Sequence, residues 1–344
     1  MITKPLFMRQ NGKANIARSY RLKHGMEMKT AKLAELMLKE NPDIFKNKED
    51  ARYHLRYIEG KVGKMANDSP NSVKKSEFYM ATPRSSSPTT IPIPDSEDLQ
   101  PFVLPTQFNN FIFASDFHVP NHRTEPIEAM VKYANENNIR QLIVGGDLLD
   151  NTPFTRWLHE PINPHDVPRW FDMAKNLLLY FKQHFDQIYF IEGNHDFWFK
   201  RYLMEKAEML FHDKYFTLEE RLGLNEMGVK FIDQRYLVKA GKLNIHHGHL
   251  TFRGGGGYAN AARMLYMKTK ASMLCGHVHV ESTHTEPDID DSISTTFTVG
   301  CMCTLRPEYQ PFGGKACHGF AHITVKPNKN FSVKNFRIYK GQIL

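Results

Sequence analysis

From residue 108 onward, short apolar runs recur along the chain, and each one closes on a cluster of small and polar residues. Phe111-Ile-Phe-Ala114 runs into Ser115-Asp116-Phe117-His118, and Gln141-Leu-Ile-Val144 into Gly145-Gly146-Asp147. Gln187-Ile-Tyr-Phe-Ile191 runs into Gly193-Asn194-His195-Asp196, Leu243-Asn-Ile245 into His246-His247-Gly248-His249, and Ala271-Ser-Met-Leu-Cys275 into Gly276-His277-Val278-His279. Apolar runs of this length bounded by glycine and polar residues predict buried strands. Longer segments at 124–137, 167–184 and 258–268 predict helices, and the alternating stretch 294–344 predicts strands at 296–299, 319–325 and 331–338. Strand, helix and strand in succession imply an α/β domain. No internal repeat is evident at periods of 20–50 residues.

The first 65 residues follow a helical period instead. Leu33, Leu36 and Met37 form one stripe of a helix over Thr30–Glu40, with Thr30 as its N-cap and Asn41-Pro42-Asp43 as its stop. A second helix is expected over 47–60 and a shorter one over 16–22, together a helix-turn-helix-like module. Arg52, Arg56 and Lys61 would line an outer face of its last helix. Residues 66–107 read as a linker, because Ala81–Pro94 is dense in Pro, Ser and Thr. The expected division is a basic helical module at 1–65, a linker at 66–107 and an α/β domain at 108–344.

Composition narrows the class. Of 344 residues, 41% are hydrophobic and 24% charged, which suits a chain that buries a full core. No apolar run reaches the roughly 18 residues of a membrane helix, and the N-terminus lacks the pattern of a secretory signal. The expectation is a cytoplasmic protein without membrane contact, whose four cysteines are reduced. Net charge adds an asymmetry. Residues 1–80 hold 17 Lys and Arg against 9 Asp and Glu, so they carry the whole net charge of +8. Such a module points to an anionic partner, with nucleic acid first, or to a solvated helical face.

The chemistry lies in the five clusters. Ligands of open α/β sheets bind beyond the carboxyl ends of strands, so five polar loops at one such edge would build one site. Carboxylates, imidazoles and one amide oxygen suit Mn, Fe, Zn or Ni rather than copper or an iron–sulfur cluster. The donors are too numerous for one tetrahedral ion and suit two ions sharing a carboxylate. Such a pair, about 3.5–4 Å apart, clamps a phosphate and activates a water for direct attack.

In this order, Asp116-Phe-His118, Gly146-Asp147-Leu-Leu-Asp150, Gly193-Asn194-His195-Asp196, His247-Gly248 and Gly276-His277-Val-His279 resemble the calcineurin-like metallophosphoesterase family. The resemblance covers roughly residues 110–280. It implies an α/β fold, a β-sandwich flanked by helices, with the all-α module appended in front. It implies two divalent ions, Mn first among the candidates. Asp116, His118 and His279 would bind one ion, Asn194, His247 and His277 the other, and Asp147 both. His195 would stand over the site as the acid, with Asp150 orienting it and raising its pKa. Asp196 reads as a supporting carboxylate or a loop-structuring one. His247 is chosen over its neighbours His246 and His249 because it directly precedes a glycine; His249 and Arg253 are candidate substrate contacts.

There are departures from the pattern. In the protein-phosphatase branch an arginine follows Gly-Asp-x-x-Asp; here Asn151 stands there. Arg123, Arg156 and Arg253 are candidate replacements. Trp157, Phe197 and Trp198 would either stack on a base or pack under the loops. Gly254–Gly257 lacks the Lys-Ser/Thr of a phosphate loop and reads as a hinge. The segment from His247 to Tyr309 is similar to phosphoesterases of bacteriophages and mobile elements, and the basic module is similar to one that recurs in such genomes. The expected function is two-metal hydrolysis of phosphate esters, as a phosphodiesterase or nuclease on nucleic acid or nucleotides. The alternatives are a phosphomonoesterase and a non-catalytic DNA-binding regulator.

Overall fold

The computed structural model describes residues 12–62, 98–157, 159–163, 165–252, 260–307, 311–312 and 314–344. The chain divides into two compact units, Met1–Glu97 and Asp98–Leu344.

The N-terminal unit is three helices: α1 (Gly12–His24), α2 (Thr30–Glu40) and α3 (Lys48–Ile58). Ala17, Leu33, Met37, Phe45, Ala51, Leu55 and Ile58 meet in its core. Leu33 and Met37 on α2, and Ala51, Leu55 and Ile58 on α3, are spaced by three and four residues, which puts them on one stripe of each helix. The Asn47 side chain caps α3 by accepting from Asp50 N at 2.9 Å. Lys29, not Thr30, is the N-cap of α2. The Thr30 hydroxyl is engaged elsewhere, accepting from Arg21 Nη2 at 3.0 Å. Arg21 is 1% exposed and paired with Glu59. On α3, Arg52 pairs with Glu49 at 3.1 Å, and Lys61 beyond the helix pairs with Glu59 at 2.7 Å. Arg56, Tyr53 and Tyr57 are exposed.

The C-terminal unit begins at Asp98, ahead of the boundary expected at 108. Its strand β1 (Phe102–Val103) pairs in parallel with β6 (Val238–Ala240), and Leu104 is buried. Next come β2 (Asn110–Ala114), α4 (Thr124–Glu136), β3 (Gln141–Val144), α5 (Asp166–His184), β4 (Gln187–Ile191) and α6 (Asn194–Lys206). Short helices α7 (Glu208–Phe211), α8 (Leu218–Leu222) and α9 (Leu224–Met227) lead to β5 (Lys230–Ile232). After β6 and β7 (Leu243–Ile245) come α10 (Ala261–Thr269), β8 (Met273–Cys275), β9 (Ser282–Pro287) and β10 (Ile293–Thr298). The chain closes with β11 (His318–Val325), β12 (Phe331–Tyr339) and β13 (Gln342–Ile343). Among the described residues no helix is long and apolar enough to cross a membrane.

Two sheets form a sandwich. One has the order β13-β12-β11-β2-β3-β4-β5, the other β1-β6-β7-β8-β10-β9. Strand alternation sorts the side chains. Phe111 and Phe113 of β2, Ile143 of β3 and Ile191 of β4 meet Val238, Ile245, Leu274 and Phe297 between the sheets. Ile112, Ala114, Leu142 and Phe190 face the other way, under α4 and α5. Helix α10 covers the outer face of the second sheet through Leu265, Met273 and Cys275.

The five polar clusters do not share one sheet edge. Those after β2, β3 and β4 follow neighbouring parallel strands of the first sheet; those after β7 and β8 follow parallel neighbours of the second. An apolar run has the same period in either layer, so the pattern alone does not assign a strand to its sheet.

Candidate metal centre

The loops after β2, β3, β4, β7 and β8 converge. Asp147 Oδ2 lies 3.0 Å from His247 Nε2 and 3.8 Å from His118 Nε2. Asp116 Oδ1 lies 3.2 Å from His279 Nε2 and 3.9 Å from His118 Nε2. Two sets of donors gather in this way, Asp116 with His118 and Asp147, and Asp147 with His247 and His277. Asp147 is common to both.

Backbone geometry aims these groups. Asp116, His118, Asp147, Asn151, His277 and His279 all have φ between 50° and 66°. That left-handed conformation is uncommon for residues with a Cβ and costs of order 1–3 kcal/mol each. The loops also pack closely: a Cβ on Gly193 would come within 2.2 Å of Asp147 Oδ1, and one on Gly276 within 2.1 Å of Ser115 Oγ. Backbone N–H groups hold the carboxylates from behind. His195 N donates to Asp147 Oδ1 at 2.8 Å, and His277 N donates to Asp116 Oδ2 at 2.9 Å. Asp196 accepts from Gly193 N at 2.9 Å and Leu149 N at 3.0 Å, tying the β4 loop to the β3 loop. That is the loop-structuring role.

The imidazoles are oriented by their outer nitrogens. His247 Nδ1 donates to the Gly145 carbonyl at 2.9 Å, and His118 Nδ1 donates to Asp150 Oδ1 at 3.0 Å. Each arrangement leaves Nε2 facing inward, the tautomer a metal ligand needs. Asp150 therefore departs from its expected role. Its carboxylate bonds His118 and stands 3.6 Å from His195 Nδ1. His195 Nδ1 donates instead to the Asp150 backbone carbonyl at 2.7 Å. Nor is the His195 pKa raised: burial lowers it, against the nearby carboxylate of Asp147.

The fit to metal ions rests on what these groups lack. Asp116 Oδ1, His118 Nε2, Asn194 Oδ1, His247 Nε2 and His277 Nε2 are buried without a hydrogen-bond partner. Buried polar atoms are normally paired, and leaving one unmatched costs about 1–3 kcal/mol. Unmatched oxygen and nitrogen donors converging around two buried carboxylates form a site for cations. Burial works against ionising Asp147, yet His247, His195 and His118 hold its carboxyl well below the usual range. Burial also opposes a charge on His247, but Asp147 and Asp116 lift it to about 9. His277 is pushed down to about 4, first by burial and then by His247. The carboxylates thus stay ionised and call for positive charge.

The other sequence candidates divide. His249 joins the site; its ring centroid is 5.5 Å from that of His247, and both ring nitrogens are buried without a partner. His246 points away, with Nε2 3.1 Å from Thr251 Oγ1. Arg253 and Gly254–Gly257 lie outside the described residues. Asn151 Nδ2 donates to the His195 carbonyl at 2.9 Å, so it braces that loop. Arg123 Nη2 donates to Thr304 Oγ1 at 2.9 Å, and Arg156 pairs with Glu205. Trp157 is exposed. Trp198 packs on His195 with ring centroids 3.8 Å apart and an interplanar angle of 31°. Arg201 lies 5.9 Å from the Trp198 ring.

Sequence reading missed Cys303, whose sulfur joins His118 and His279 in a third group of donors. The Cys301-Met-Cys303 spacing is its one signal in the sequence.

The family model for calcineurin-like phosphoesterases matches residues 110–281. No curated protein matches. Among solved structures, a single mutant of Vps29 from Entamoeba histolytica is 12% identical with a TM-score of 0.35, over 68% of this chain and 96% of that one. Vps29 from Cryptosporidium parvum is 10% identical with a TM-score of 0.34, over 67% and 98%. The phosphoesterase Yfce from E. coli is 17% identical with a TM-score of 0.31, over 65% and 98%.

Proposed function

The chain belongs to the calcineurin-like phosphoesterase family and is a metal-dependent hydrolase of phosphate esters; from that premise we propose that it is a phosphodiesterase or nuclease acting on nucleic acid or nucleotides. Asp116, His118 and His279 would hold one ion, Asn194, His247 and His277 the other, and Asp147 both. Mn²⁺ is the first candidate, with Fe, Zn and Ni suited by the same donors. When bound, the ions supply a nucleophilic water and positive charge for the phosphoryl oxygens. His195, whose Nδ1 donates to the Asp150 carbonyl and whose ring packs on Trp198, would pass a proton to the departing oxygen from its imidazolium form, carried on Nε2. His249 offers a neutral imidazole to the substrate, since burial and then His247 push its pKa to about 3.

The observation that carries the diester reading is Asn151. It occupies the place of the phosphatase arginine, and its amide is spent on the His195 carbonyl. A monoester carries one more negative charge than a diester and gains more from a guanidinium there. The nucleic-acid reading draws on the basic first quarter of the chain and the exposed Arg56, Tyr53 and Tyr57 of α3. The helical module would bind DNA or RNA through phosphate contacts. Its affinity should fall steeply as salt rises, and Arg56→Ala should shallow the salt slope by about one unit. A titration showing no binding at low salt, or salt-independent binding, removes that part of the proposal.

The decisive experiment is a substrate panel of single- and double-stranded DNA, RNA, cyclic nucleotides and a phosphopeptide, with Mn²⁺ and with chelator. Cleavage of the nucleic acids or cyclic nucleotides, abolished by chelator, is expected. Turnover confined to the phosphopeptide would make the enzyme a phosphomonoesterase.

A further inference from the structure

Three imidazoles at the centre rest an outer nitrogen on oxygen: His118 on Asp150 Oδ1, His247 on the Gly145 carbonyl and His195 on the Asp150 carbonyl. His279 rests on sulfur. Its Nδ1 lies 4.0 Å from Cys303 Sγ, at the long end of hydrogen bonding to sulfur. Cys301 Sγ donates to the Cys303 carbonyl at 3.8 Å, bracing the residue that carries that sulfur. His279 Nε2 faces inward, 3.2 Å from Asp116 Oδ1.

The two thiols are buried and their backbone is fixed on every side. Cys301 N donates to the Cys317 carbonyl at 2.9 Å, and the Cys303 carbonyl lies 2.9 Å from His318 Nε2. Between them, Met302 N donates to the Asp116 carbonyl at 3.1 Å. The segment carrying the sulfurs is therefore stitched to the same aspartate that His279 faces.

We infer that Cys301 and Cys303 are positioning residues of the metal centre, holding the His279 ring in the orientation and tautomer that offer Nε2 to the ion at Asp116. The inference rests on the reading of Asp116, His118 and His279 as ligands. A metal-bound histidine normally passes its other N–H to a carboxylate or carbonyl, which fixes the ring and strengthens it as a donor. Sulfur is a weak acceptor. His279 is then anchored less firmly than His118, His247 and His195.

The test compares the full-length wild type with Cys301→Val/Cys303→Val and Cys301→Ser/Cys303→Ser. Each is titrated with Co²⁺ and followed by visible absorption and metal content. Valine keeps the volume and removes the acceptor. It should weaken one of two ions by about 10-fold or more, the usual effect of losing such a partner, and leave the other unchanged. Serine should restore the affinity to within a few-fold. A folded valine form that binds both ions like the wild type overturns the inference, as does a serine form as weak as the valine form. Should the valine form not fold, ¹⁵N spectra of the zinc-loaded wild type decide. His279 is expected to be protonated at Nδ1 and metal-bound at Nε2, and the reverse overturns the inference. A wild type that takes up no ion breaks the metal reading itself, and the inference with it.

Discussion

In the N-terminal unit the buried charge is Arg21. Its Nη atoms reach the Gly25 and Met28 carbonyls, Thr30 Oγ1 and the carboxylate of Glu59, and only its Nε goes without a partner. In the C-terminal unit the candidate site is built on two buried carboxylates, Asp116 and Asp147, and six residues from four different loops leave atoms unmatched there. Burial is similar in the two places. What separates a structural ion pair from a candidate site is whether the donors and acceptors close on one another. Arg21 and Glu59 complete each other inside the fold; Asp116, Asp147 and their histidines are complete only with something the chain does not supply.

The sharpest way to break that comparison is Asp147→Asn, which keeps the shape and removes the charge shared by both halves of the site. It should abolish binding of both ions and lower phosphoesterase turnover by on the order of 10³-fold. If the variant holds two ions as tightly as the wild type, the unmatched atoms are an accident of packing. The matching experiment in the other unit is Arg21→Met. Removing one partner of a buried pair costs about 3–5 kcal/mol, so urea should unfold the helical unit far earlier. Phosphoesterase activity should stay at the wild-type level; a parallel loss of activity would show that the Arg21 pair serves the site too.

A smaller effect is expected at Trp198. Stacked aromatic pairs contribute about 0.5–1.5 kcal/mol beyond their burial. Trp198→Ala should therefore slow hydrolysis by roughly threefold to tenfold, and more for esters with alkyl leaving groups than for nitrophenyl esters. Poor leaving groups depend on a proton donor and good ones do not. An equal loss on both would mean that the ring supports the loop and not the acid function proposed for His195.

The two units also differ in how far their sequences can be read. The metal-centre residues are legible because each follows an apolar run that forms a parallel strand, and parallel strands present their carboxyl ends together. The partners of those residues are not. Asp150 stands three residues after Asp147, a spacing that serves a bond to His118 or to His195 equally well. Only the fold shows that its carboxylate takes the first and its carbonyl the second. Helix α6 was missed because its first turn is the Asn194-His195-Asp196 motif itself, and β9 because an exposed edge strand has no apolar run. In the helical unit the periodicity located α2 and α3, yet Thr30 looked like a cap because its bond to Arg21 spans nine residues.

The claim that matters most is that the unmatched donors bind ions that perform the hydrolysis. Its most direct test is turnover of bis(4-nitrophenyl) phosphate by the full chain, first stripped by chelator and then reloaded with Mn²⁺ while bound metal is counted. The expected result is no turnover in the stripped protein and recovery that tracks uptake of two ions per chain. Undiminished turnover after stripping, or full metal uptake without any hydrolysis, would contradict the account.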